Sequence, residues 1–130
     1  MAYFLSKKLK ETVFEKGLET VLEALKSTGF GILSQIKLSD VIKAKLNEDI
    51  GQVMIINACF PKIAFSTLQV DPNAVTLLPC NVTVKKDKGS EEILCLTLEP
   101  INYLKIANQS KIDELGEIVS EKLKEVFDKI

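Results

Sequence analysis

Residues 52–59, QVMIINAC, run apolar at almost every position and stop against a Phe-Pro pair. A strand made from such a run has no solvent side, because both faces of its pleat carry hydrocarbon. It belongs inside a sheet that is covered above and below. Pro61 then suits the first turn of a helix, where a missing N–H costs nothing. Ile63, Ala64, Leu68 and Val70 offer that helix a buried side, and Asp71-Pro72-Asn73 ends it.

The flanking segments supply the covering layers. In TVFEKGLETVLEALKSTGFG, the residues Val13, Gly17, Leu18, Val21, Leu22 and Leu25 recur at helical spacing and form one apolar stripe. Thr12 with Glu15 three residues on fits a capping box, and Gly29 is placed for a left-handed stop. A second stripe, Ile112, Leu115, Val119, Leu123, Val126 and Phe127, follows Ser110 as a cap. Ala2–Leu9 reads as a first strand and residues 30–38 as a second. A helix between two strands predicts that they run parallel through a right-handed crossover, in a mixed sheet. Ser39 is placed to cap a short helix through Leu46, and INYLKIAN to form one or two helical turns.

VTLLPCNVTVKKD and EEILCLTLEP flank the polar turn KKDKGSEE, which predicts a hairpin. Cys80, Val82 and Val84 share one face of its first arm, and Asn81, Thr83 and Lys85 the other. In the second arm Leu94, Leu96 and Leu98 alternate with Ile93, Cys95 and Thr97. Setting the leucines beside the Cys80 row leaves Ile93 and Cys95 on the far face. Two long helices cover only one face of such a sheet, and a partly apolar open face wants a partner, so a homodimer is expected. The other solution is that the short middle helices cover it. The elements follow one another without linker or repeat, so 1–130 reads as a single α+β domain. It is a two-layer sandwich in strand-helix-four strands-helix order, with the main helices on one face.

Composition narrows the chemistry. All 17 basic residues are lysines, so the bidentate guanidinium fork that reads guanine edges and grips phosphate is missing. With a net charge of −1, sequence-specific nucleic-acid binding is not expected. Histidine is absent, which removes the commonest neutral-pH base and the commonest metal ligand. Three cysteines without paired C-x-x-C spacing make no zinc set and suit a reducing compartment. Gly29 and Gly31 lack the third glycine of a phosphate loop. No metal and no cofactor are expected. No run reaches membrane-spanning length, and the apolar start of MAYFLSKKLKE is too short for a secretion signal, so the expected location is cytoplasmic.

What remains is the thiols. Cys59 precedes a helix N-terminus, whose unpaired donors and dipole would lower its pKa and sharpen it as a nucleophile or soft ligand. The commoner use of a free cysteine is as a small buried hydrophobe. Cys80 follows Pro79 at a strand start, and pairing of its strand with the one ending at Cys59 would bring the two sulfurs together. Cys95 lies among leucines and reads as packing. Tyr3 and Tyr103 are candidates for a pocket rim, core packing being the commoner role.

The segment NACFPKIAFSTLQVDPNAVTLLPCNVTV resembles the core motif of the family called Domain of Unknown Function 302. The resemblance rests on Cys59, Pro61, Ala64, Leu68, Pro72, Leu78, Pro79, Cys80, Asn81 and Val82, and the earlier GFGILSQIKLSDVIKAKL extends it. It implies a strand-helix-four strands-helix domain of bacterial or archaeal origin, and no activity. Where the family commonly carries asparagine between the cysteine and the proline, this chain has Phe60, which removes a polar group there.

Three readings of function follow. The first is a binding module with a pocket near Cys59 and Cys80, bounded by Phe60, Pro61, Pro79 and Asn81, holding a small apolar or thiophilic ligand. The second is a thiol-dependent enzyme or a redox or sulfur carrier, with Cys59 as nucleophile and Cys80 resolving or orienting it. The third is a structural or regulatory homodimer whose cysteines only pack.

Overall fold

The computed structural model describes residues 3–130. Strand β1 spans Phe4–Lys8, β2 Gly31–Lys37, β3 Gly51–Cys59, β4 Cys80–Asp87 and β5 Leu94–Leu98. Ala2, expected in the first strand, lies outside the described residues. The helices are α1 Phe14–Thr28, α2 Leu38–Leu46, α3 Pro61–Val70, α4 Pro100–Tyr103 and α5 Ser110–Lys129, with 3-10 turns at Pro72–Leu77 and Leu104–Ala107.

The sheet order is β1-β5-β4-β3-β2, and every pairing is antiparallel. The expectation of a mixed sheet is corrected here. β1 and β2 do not pair; they occupy opposite edges. The first strand is claimed by β5, with Phe4 opposite Leu98 and Lys8 opposite Leu94, while β2 folds back on β3. The α1 connection therefore spans the width of the sheet. The two-layer α+β architecture and the element order are as expected.

Helices α1 and α5 pack on one face and on each other. Val21 and Leu25 of α1 and Leu123 and Val126 of α5 are fully buried over Ile56, Val82, Val84, Ile93 and Cys95 of the sheet region. Gly17 sits where a side chain would meet Leu9 at 3.0 Å and Ile93 at 3.3 Å, so this glycine lets α1 approach the sheet. Gly29 ends α1 at φ 106°, with Gly29 N–H on the Lys26 carbonyl and Phe30 N–H on the Leu25 carbonyl, the paired bonds of a Schellman stop.

Several local expectations change. The Thr12–Glu15 capping box does not form: Val13 caps the helix, the Thr12 carbonyl accepts from the Lys86 ammonium, and Glu11 accepts from the Thr20 hydroxyl at 2.7 Å. Neither Ser39 nor Ser110 caps, because each lies inside its helix. Ser39 is instead buried, and its Oγ accepts the Val53 N–H at 3.0 Å, tying α2 to the side of β3.

The hairpin faces also differ. Val82 lies opposite Thr97 and Val84 opposite Cys95, so Ile93, Cys95 and Thr97 face the helices and the leucines face away. Cross-strand partners share a face, and that register decides the assignment.

Candidate functional site

The β3–α3 junction is built from Cys59, Phe60 and Pro61. Phe60 is the N-cap residue; its carbonyl accepts from the Ile63 and Ala64 N–H groups, and Pro61 opens the helix. The Phe60 ring packs edge-on against Phe30, with centroids 5.4 Å apart. It also touches the space left by Gly29, and the Lys122 ammonium sits 5.9 Å from its centroid. The aromatic thus anchors α3 by packing. The Phe60 side chain itself brings no polar group to the junction.

The neighbouring strand β4 begins at a cis Leu78-Pro79 bond, and Ala58 lies opposite Cys80. Cys59, Phe60, Pro79 and Cys80 line one hollow with Ala58, Ile63, Ala64, Leu78 and Val119. Its volume is about 20 Å³, room for a single water. Pro61 and Asn81 do not line it. Asn81 follows Cys80 in the strand and therefore points to the opposite face.

Cys80 is 8% exposed and Cys59 half-buried; both, like Cys95, are free thiols. Burial pushes the Cys59 thiol up, opposite in direction to the lowering expected from the helix N-terminus. Burial raises Cys80 as well, the Tyr103 hydroxyl 3.8 Å away opposes that, and the proximity of Cys59 adds to it. Cys95, sealed in the core, is pushed up to about 12. Tyr103 is raised by its own burial and by Cys80. Its place beside Cys80, 23 residues away, has no local signal in the chain.

A larger concavity than this hollow is on the other side of the sheet. A groove of about 450 Å³ runs over β1, β5 and β4, lined by Tyr3, Phe4, Asn81, Thr83, Lys85, Leu96, Thr97 and Leu98. Its floor is apolar, and its polar edge is ordered: Thr83 Oγ1 donates to Asn81 Oδ1 at 2.8 Å, and the Lys85 ammonium is held by Asp87 at 3.1 Å. Of the residues expected around the cysteine pair, only Asn81 reaches this groove. Tyr3, read as a rim candidate, stands on it and is 71% exposed.

A single two-layer domain, helices on one face of an antiparallel sheet and an open groove on the other, is the class that this fold defines. The model of the family described as Domain of unknown function DUF302 matches residues 5–130, and the chain belongs to that family. A crystal structure of an uncharacterized conserved DUF302 protein from Bacillus stearothermophilus has the same fold. Its TM-score is 0.90 at 19% identity, over 99% of this chain and 98% of that one. A search of the curated proteins finds no match. Among the described residues no helix is long and apolar enough to cross a membrane.

Proposed function

We propose that this domain is a small binding module whose ligand lies in the groove on the open face of the sheet. The observation that carries the reading is the 450 Å³ volume over a floor of Phe4, Leu96 and Leu98, with polar groups gathered along one side. That is the size and lining of a small-molecule site. With its oxygen engaged by Thr83, the Asn81 amide can offer its N–H donors to a ligand acceptor. The ligand class that fits is an apolar molecule with one hydrogen-bonding end.

This moves the binding site from the cysteine pair to the far side of the same strand. The hollow between Cys59 and Cys80 has the volume of a water, too little for an organic ligand. Thiol chemistry has weaker support, because burial keeps both sulfurs protonated at neutral pH.

Titration with the apolar fluorophore 1-anilinonaphthalene-8-sulfonate tests the reading. Wild type should enhance its emission, Leu96→Asp should abolish the enhancement, and Cys80→Ser should keep it. Enhancement that survives Leu96→Asp and vanishes in Cys59→Ser would return the site to the thiols. Native mass spectrometry of the purified protein would identify a passenger.

A further inference from the structure

We infer that the open face of the sheet is an interface with a second copy of this chain, the two sheets packing face to face about a two-fold axis along β4. The pairing registers put Phe4, Leu94, Leu96, Leu98, Val53, Ile55 and Ile36 on the face turned away from α1 and α5. An antiparallel sheet with one side in water normally alternates apolar inward and polar outward. Here four of the five strands break that rule, and Leu98 and Ile36 stand 40% and 43% exposed. The nearly unbroken apolar run of β3 demands cover on both sides. The helix layer covers Met54, Ile56 and Ala58 on one side, while Val53 and Ile55 on the other stay partly exposed.

Three further features point to a second copy as the cover. The first is charge. The register places Lys8 and Lys85 on this face, and each is neutralised within its own copy, by Glu92 at 3.3 Å and Asp87 at 3.1 Å. Two such faces, on chains of net charge −1, meet with little repulsion. The second is area. Strands spaced about 4.8 Å apart and rising about 3.3 Å per residue give a flat face of about 500 Å² per copy. Two copies reach the roughly 1,000 Å² needed for a specific interface before side-chain relief is added. The third is position. With β4 central among five strands, an axis along it lays the β1–β5 groove of one copy over the partner's apolar Val53, Ile55 and Ile36 on β3 and β2. The contact is isologous and closes at two copies. A ligand in the groove would then be roofed, a corollary that rests on the reading above; the interface itself does not.

The test is light scattering of the full chain after refolding from denaturant, which strips any groove ligand and so separates this inference from the ligand reading. The expected mass is twice 14.4 kDa. Ile55→Lys and the milder Leu96→Ser should give monomers with unchanged far-UV circular dichroism. Phe65→Lys, an exposed change on α3, should leave the dimer intact. Thr83→Cys, next to the axis, should form an intermolecular disulfide under copper-phenanthroline oxidation. A monomeric wild type overturns the inference. So does a dimer broken by Phe65→Lys but not by Leu96→Ser, or a dimer that Thr83→Cys fails to cross-link.

Discussion

The hydroxyl of Tyr103 lies 3.8 Å from the sulfur of Cys80, across the start of β4. The contact is the one polar influence that lowers the Cys80 pKa against its burial. Tyr103→Phe should therefore raise that pKa and slow alkylation of Cys80 by iodoacetamide at pH 9. Cys59, half-buried, should react first in wild type, and peptide mapping of the labelled protein reads both rates.

Cys95 ties stability to alkaline pH. Its folded pKa of about 12 lies above the ordinary thiol value of 9.0, so only the unfolded chain loses this proton between those values. The stability contribution is whole below pH 9 and lost as pH rises towards 12, at about 1.4 kcal/mol per unit. Cys95→Ala should be less stable at pH 7 by about 1 kcal/mol, from the lost core volume. It should also show a shallower decline above pH 9, which urea melts across pH would reveal.

Gly51 and Gly89 make a matched pair. Both have positive φ, 93° and 79°, but a side chain at Gly51 would come within 2.3 Å of the Lys86 carbonyl oxygen, while nothing lies within 4 Å at Gly89. Gly89→Ala should cost about 1–2 kcal/mol from backbone strain alone. Gly51→Ala should cost clearly more, since the β3–β4 pairing must shift. Chemical denaturation of the two variants compares them directly.

Ser120 is fully buried on α5, accepts the Ile101 N–H at 3.1 Å and donates to Glu99. Ser120→Ala removes both hydrogen bonds and should cost about 1–3 kcal/mol in urea denaturation. Leu123→Ala, one turn away in the core, should cost about 2–5 kcal/mol by opening a cavity.

Period and punctuation made the elements legible. The Val21–Leu25 and Leu123–Val126 stripes, the Pro61 helix start and the Gly29 stop all appear where spacing put them. Strand pairing was not legible, because the partner of Phe4 is Leu98 and nothing local announces so distant a contact. The face of β5 was ambiguous for a different reason: with leucine, isoleucine and cysteine at successive positions, alternation carries little signal, and only the register with Val82 and Val84 decides. The candidate site held a conflict visible in the sequence itself. Cys80 and Asn81 are adjacent in a strand, so one pocket on one face could not contain both. The groove at Asn81 went unread because Phe4 and Leu98 come from opposite ends of the chain.

The β1–β5 pairing has a consequence for biogenesis. Strand β1 is synthesised long before its partner and has no seat until Leu98 has followed it out, so this edge of the sheet is completed late and by a distant contact. A nascent chain stalled ahead of residue 94 would carry Phe4 and Leu5 on an unpaired ribbon, bait for chaperones. Moving the β1 segment to follow α5 would pass that wait to β5, then the earlier-made strand of the pair.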